Sequence, residues 1–419
     1  MRQLTWVGGV LVTIALAAGC GRSAAKIENG ETQSQVDTSA AKPAEQVRSQ
    51  AGQKRPISAA EAATVAEVLQ AAADAHDERA FANQFDFAAL VDLTLADSDD
   101  SSREARELRK GFEKGLLSGS SQLVKLIFTQ IDNGGSYQYL RTLERPEGAR
   151  PLFRLRTPEG ALNYHEIILD RRPRGIRIVD FFVYASGERI SETMERMMMT
   201  ALPPETQTLW GRISGSAKSA LRRAAPLNDM VEAHKAGNYP RALEIFDSLP
   251  PELRADKGVQ LIRVMSAQHV EAEVYRQAMD EYVAAFPNDP SMDLMSVDAH
   301  LMAGRFQEAH ESIDRLDRKV GGDPYLQFMR GNLFLQEGKH DEANRQAEQI
   351  LRSDERDLDA HWLLVAISLE KKEFQDTAKL LTKIRDELGM PLGDLRQLPD
   401  YADFVASPEF EAWQAAGPK

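Results

Sequence analysis

Thiols are nearly absent from this chain of 419 residues: Cys20 is its one cysteine, so no internal disulfide can form and stability must come from packing. Also absent are a nucleophile elbow of glycine, serine and glycine, a phosphate-binding loop, and two histidines at metal-ligand spacing; the eight histidines are scattered. Neither cofactor nor metal is expected, and no enzymatic activity. Cations are in deficit. The formal net charge of −13 speaks against a nucleic-acid backbone as partner, which needs clustered lysine and arginine, and fits solubility or a basic partner. At the amino end the apolar run Leu4 to Ala18 is shorter than the ~20 residues a spanning helix needs. What is present is 42% hydrophobic residues, enough to build the cores of two or three domains.

Met1 and Arg2 open a short basic start, Leu4 to Ala18 is an apolar run of secretory length, and Ala17, Ala18 and Gly19 precede Cys20. Residues 1–20 therefore have signal-peptide anatomy. The thiol placed directly after small residues resembles a bacterial lipobox, with Leu16 one place further back than usual and Ala17 in its position. That resemblance implies a diacylglyceryl group on Cys20, cleavage before it, and a protein held on a membrane by acyl chains without crossing it. An uncleaved anchor or a plain secretory signal would share the same anatomy. Gly21 and Arg22 follow, and in the resembled lipoproteins an aspartate there retains the protein at the inner membrane. Its absence points to a periplasm-facing protein of the outer membrane. Residues 21–56 are rich in Ala, Gln, Ser, Thr, Glu and Lys with almost no large apolar side chain, which predicts a disordered tether.

Order is expected from Ser58, where Ser58 and Glu61 have capping-box spacing ahead of Val65, Val68 and Leu69. A second helical region covers Phe81 to Val91, and a third runs from about Ser102 to Ile131 with a candidate break at Gly119. Past Asn133-Gly134-Gly135 the apolar period changes from 3.6 to 2. Four strands are expected, Tyr137 to Leu143, Leu152 to Arg156, Leu162 to Asp170 and Ile176 to Ala185, joined by turns rich in proline and glycine. Residues 57–200 thus read as an α+β domain with a curved four-stranded antiparallel sheet, and its order of elements resembles the nuclear transport factor 2-like (cystatin-like) fold. That resemblance implies either a pocket enzyme or an inert binding module. Tyr164, Glu166, Asp180 and Tyr184 are the candidates for a small-ligand pocket, because a buried acid beside a tyrosine suits proton abstraction next to a carbonyl. The competing reading pairs Glu166 and Asp180 with Arg154, Arg156 or Arg177 across the sheet, and leaves His165 as a packed sheet histidine. Met194, Met197, Met198 and Met199 are expected to pack a joining helix between domains, with a connecting helix over 201–223.

One short pattern recurs further on: Gly304 with Ala309, Gly338 with Ala343, and Lys372 with Thr377, at steps of 34 residues. Two helical runs per period are the mark of a solenoid, since one helical pair cannot bury its own apolar face. Gly237, Tyr239, Ala242 and Phe246 match the pattern upstream; a further unit keeps Tyr275, Ala278 and Tyr282 but has Glu273 in the glycine place. The positions resemble the tetratricopeptide repeat (TPR), with five units over 224–390 and a capping segment over 391–419. The spacing is uneven early, 36 residues from Ala242 to Ala278 and 31 from Ala278 to Ala309.

In that family the first helix of each pair lines a concave groove for peptides or helices. Carried onto matching positions, the groove would show Arg263, Asp298, Met302, Tyr325, Phe328, Asn332 and Trp362. Asn332 lacks the companion lysines of the carboxylate-clamp subgroup, so chaperone-tail binding is not implied. The expectation is a membrane-anchored TPR lipoprotein acting as adaptor or scaffold for a protein or peptide in the bacterial cell envelope. The alternative is an envelope enzyme or small-ligand receptor using the α+β cone.

Overall fold

The computed structural model describes residues 55–96, 103–158, 160–201 and 225–417. The expected signal peptide with Cys20, nearly all of the expected 21–56 tether and most of the expected 201–223 connecting helix lie outside the described residues, as do the side chains of Met197, Met198 and Met199.

Helix α1 (Ala59–Asp74) starts at a reciprocal cap. The Ser58 N–H donates to Glu61 Oε2 at 2.9 Å, and the Glu61 N–H donates to Ser58 Oγ at 3.4 Å. The Ser58 N–H and then Arg171 hold the Glu61 carboxyl down at about 2. Val65, Ala66, Leu69, Ala72 and Ala73 form its buried stripe. The second helical region is two helices, α2 (Glu78–Ala82) and α3 (Phe87–Thr94), each capped by an aspartate, Asp77 and Asp86. The chain breaks between them because its backbone turns to the sheet: the Asp86 N–H donates to Ile178 O at 2.8 Å and the Ile178 N–H to Gln84 O at 2.9 Å. Helix α4 (Arg103–Asp132) runs unbroken for 30 residues. Gly119 does not interrupt it; one interior glycine costs only about 1 kcal/mol, which a run of this length absorbs.

The sheet is an antiparallel meander in the order β1 (Ser136–Leu143), β2 (Arg150–Arg156), β3 (Leu162–Arg172), β4 (Gly175–Val183), β5 (Glu188–Arg189). It has five strands where four were expected. The extra one is two residues long, too short to show a period, and forms because Ser186 and Gly187 turn the chain back onto Phe182 and Val183. One face packs on the helices through contacting rings: Tyr137 stacks on Phe153 at 4.8 Å, Phe81 meets Phe128 at 5.4 Å and Tyr137 at 5.8 Å, and His165 lies 5.1 Å from Phe181. His165 is thus a packed sheet residue, and burial pushes its imidazole down to about 3. The opposite face carries Gln138, Arg154, Tyr164 and Glu166.

Helix α5 (Ile190–Ala201) follows β5. Paired helices come next: α6 (Ala225–Lys235) with α7 (Tyr239–Ser248), then the short α8 (Pro251–Arg254), α9 (Lys257–Ala267) with α10 (Ala272–Ala285), and α11 (Met292–Met302) with α12 (Phe306–Val320). Two further pairs are α13 (Pro324–Gln336) with α14 (His340–Ser353), and α15 (Leu358–Glu370) with α16 (Phe374–Thr382). Ala242, Ala278, Ala309 and Ala343 are buried where second helices approach first ones. The uneven early spacing has two sources. Helix α8 is inserted after the first pair, which lengthens the first step, and α10 ends seven residues past Ala278 where α12 runs eleven past Ala309, which shortens the second. Helix α10 also begins about one turn early, so Glu273 lies inside the helix rather than at the turn. After α16, helices α17 (Ala402–Val405) and α18 (Pro408–Ala416) lay Phe404, Phe410 and Trp413 against Val365, Leu381 and Ile384 of the last pair. A single apolar cluster runs from Val65 through the sheet to Leu333, so sheet domain and middle repeats share one core.

Candidate functional site at the junction of sheet and repeats

The polar face of the sheet meets the turns that open the repeat helices. Asp323 caps α13, its Oδ1 accepting from the Tyr325 N–H at 3.0 Å. The same carboxylate pairs with Arg154 of β2 and accepts from the Tyr164 hydroxyl of β3 at 2.7 Å. Its side chain is fully buried, and burial with the adjoining carboxylate pushes the Tyr164 phenol far above its usual range. One repeat later, Asp359 in the first turn of α15 takes a fork from Arg156 at 2.6 and 3.2 Å. The Arg156 guanidinium also lies 4.1 Å above the Tyr325 ring, whose hydroxyl donates to Gly160 O at 3.2 Å. Arg141 of β1 donates to the carbonyls of Gly321 and Gly322, and Lys319 sits 5.4 Å over Tyr184. At the β4–β5 turn Gly187 takes φ 63° and rests on the start of α11; a Cβ there would lie 2.4 Å from Asp289 Oδ1 and 2.7 Å from Ser291 N.

This arrangement redistributes the expected groove residues. Tyr325 is buried beneath the two arginines. Asp298 is buried inside the solenoid, accepting from the Tyr275 hydroxyl at 3.4 Å. Arg263 pairs with Glu281 and lies 4.6 Å over Phe246, so it is an internal strut. These three are not open groove positions, because the sheet or a neighbouring repeat occupies the space they face. Met302, Phe328, Asn332 and Trp362 remain half-buried. The Asn332 amide donates to Phe328 O at 2.9 Å, Phe328 packs on both apolar clusters it borders, and Trp362 packs on the carboxyl-terminal cluster.

The expected pocket residues are all engaged. Glu166 accepts from Arg145 at 2.9 Å and from Arg150 at 3.0 Å; burial opposes its charge, but the two guanidiniums outweigh it and hold the carboxyl below its usual range. Tyr184 donates to Glu166 at 3.4 Å. Asp180 accepts from the Ser191 hydroxyl at 2.6 Å and from the Phe181 and Ser191 N–H groups, with burial raising its carboxyl. The partners therefore differ from those expected. Glu166 is served by Arg145 of the β1–β2 turn and by Arg150 at the start of β2, which leaves Arg154 and Arg156 to reach the repeats. Among the described residues no cluster of His, Cys, Asp or Glu could hold a metal ion, and no helix is long and apolar enough to cross a membrane.

Asp323, Asp359, Arg141 and Gly187 escaped the sequence reading. Asp323-Pro324 is a legible helix start, but nothing local says that its carboxylate meets an arginine 169 residues away. No curated protein and no solved structure matches the chain. Residues 328–387, from α13 through the end of the last helical pair, match the tetratricopeptide repeat family model, so the protein contains tetratricopeptide repeats, a fold of protein–protein interaction.

Proposed function

We propose that this chain is a membrane-anchored lipoprotein whose repeats hold a protein or peptide partner in the bacterial cell envelope, as an adaptor or scaffold rather than an enzyme. One observation carries the binding part. Phe328 and Trp362, one 34-residue period apart on α13 and α15, stay partly accessible, while Tyr325 at the start of α13 is covered. Equivalent positions of successive repeats, with Asn332 one turn on from Phe328, make an aromatic ladder suited to an extended peptide or a helix. The anchor rests on the run Leu4 to Ala18 followed by Ala17-Ala18-Gly19-Cys20, with the outer membrane favoured by Gly21.

The first domain, which we read as nuclear transport factor 2-like from its helices followed by a meander, acts here as a seat for the repeats. The enzyme or small-ligand alternative needs free ionisable groups, and Tyr164, Glu166, Asp180 and Tyr184 are each bound to another residue. The test is covalent capture from intact cells with the full chain, comparing wild type with Phe328→Ala plus Trp362→Ala. Loss of a specific cross-linked partner supports the groove; unchanged recovery of every specific partner overturns it. For the anchor, Cys20→Ala should accumulate unprocessed precursor, and an unaltered mature product would reject lipidation.

A further inference from the structure

The meander sorts the turns of the sheet to two ends. The β2–β3 and β4–β5 turns, with Gly160 and Gly187, lie against the repeats; the β1–β2 and β3–β4 turns lie at the other end. In this acidic chain the β3–β4 end concentrates arginine: Arg171, Arg172, Arg174 and Arg177 fall within seven residues. Arg55 joins them, its carbonyl accepting from Arg171 Nε at 3.2 Å. Some of this charge is answered locally, Arg171 by Glu61 at 2.8 Å and Arg172 by Asp86 and Asp170 at 3.4 Å. Arg55 and Arg174 are exposed, and among the described residues Arg177 donates only to the Ile176 carbonyl, at 2.8 Å. None of these three has a carboxylate in ion-pair range among the described residues.

The same end is where the described chain enters the fold. The Ala149 N–H of the β1–β2 turn donates to Ile57 O at 2.8 Å, and Ile57 packs on Ala149 with Leu169 and Ile176 alongside. The 35 covalent steps back from Arg55 to Cys20 therefore start beside the arginines. Fully extended they reach at most about 120 Å.

We propose that this arginine end docks on anionic phospholipid headgroups, presenting Arg55, Arg174 and Arg177 to phosphodiester oxygens and directing the repeats away from the bilayer. The setting rests on the lipid-anchor reading; the chemistry rests on the hairpin. The tip is Pro173-Arg174-Gly175, with no exposed large apolar side chain, so contact is by charge at headgroup depth and weakens with salt. Each arginine near such a surface contributes about 5-fold, and three contribute on the order of 100-fold in affinity. The two chains of a diacylglyceryl anchor attach stably by themselves, so the arginines would set the orientation of the fold on the bilayer rather than its retention there.

The full chain is reconstituted with vesicles of phosphatidylcholine alone or with about one-third phosphatidylglycerol. A Pro173→Cys variant carries a fluorophore at the hairpin tip, read by collisional quenching from headgroup spin-labelled lipid; flotation of the same samples reads the anchor. Strong quenching on the anionic vesicles, lost in high salt and in Arg174→Glu plus Arg177→Glu but kept in Arg174→Lys, supports the proposal. Equal quenching on both vesicles, or quenching unmoved by the charge reversal, overturns it. Failure of the wild type to float on neutral vesicles removes the anchor reading instead, leaving the quenching on anionic vesicles to decide the hairpin. If single-stranded DNA binds the tip more tightly than the anionic vesicles do, the bilayer assignment falls.

Discussion

Asp323 makes three bonds from a fully buried carboxylate: to Arg154, to the Tyr164 hydroxyl and to the N–H of Tyr325. Replacing it by alanine would leave a nearly buried guanidinium and a buried phenol without their partner, and uncap α13. Breaking a buried pair from one side costs about 3–5 kcal/mol, so Asp323→Ala should lower the free energy of unfolding in urea by that order. A loss below about 1 kcal/mol, the range of an exposed pair, would sink the view that this carboxylate ties the sheet to the repeats. Lys372 poses the reverse case. Gly237, Gly304 and Gly338 take φ of 73°, 68° and 72° at the turns between paired helices, and Lys372 takes 57° at the equivalent turn of the last pair. A side chain there costs about 1–2 kcal/mol, and its pair with Asp403 is two-thirds exposed, so it offsets little. Lys372→Gly should therefore stabilise the last pair by about 1 kcal/mol, read as a higher denaturation midpoint at unchanged slope.

The turn between β4 and β5 is an element whose position depends on having no side chain. A Cβ on Gly187 would meet Asp289 Oδ1, which accepts from the Ser291 N–H at 2.9 Å while Oδ2 of the same carboxylate pairs with Lys257 at 2.6 Å, and would press on the Ser291 backbone. Gly187→Ala should cost about 1–3 kcal/mol through that overpacking. It should also speed amide exchange at the start of α11 while leaving α15 unaffected; uniform change across all repeats would contradict a local seat. Elements of this kind mark the limit of what the sequence tells. The long helices and β1 to β4 were legible because period and turn residues are local, and the turn glycines of the repeats declared themselves by position. Strand β5 was not, because two residues carry no period. The early start of α10 was hidden because Tyr275 and Ala278 kept the spacing of the pattern while Glu273 moved into the helix. The surroundings of the expected pocket and groove residues were not legible, because their partners come from other segments: Arg154 finds Asp323, and Glu166 finds Arg145. No window of sequence contains such a pairing.

For the molecule as a whole, neutral histidines are distributed through both domains. Burial pushes His165 in the sheet down to about 3; burial, and then the charge on His269, pushes His234 in the first repeat down to about 4. His269 and His300, in the second and third repeats, are lowered by burial as well. In the unfolded chain all four titrate near 6.5. Native values below unfolded ones mean that the unfolded state binds more protons between them, so stability is complete above about pH 7 and declines as pH falls through 6.5 toward 4. The acids held low by arginine, such as Glu166, lose their contribution only below the ordinary carboxylate range near 4.5, and Asp180, raised by burial, acts in the opposite sense, so a variant at His165 is what isolates the histidine part of the window from 6.5 to about 5. For fully buried His165 the decline between pH 7 and pH 5 amounts to about 2 kcal/mol. His165→Phe keeps a ring beside Tyr137 and Phe181 and removes the titrating group. Losing the contacts with the Tyr137 hydroxyl at 3.3 Å and the Asn163 amide at 3.4 Å lowers stability at every pH, but its unfolding free energy should fall less steeply over that interval, by the same amount. Urea titrations at pH 7, 6 and 5 decide the matter. Parallel slopes for wild type and variant would mean that the histidine is protonated in the fold, and that water reaches the side of the sheet on which its rings are packed.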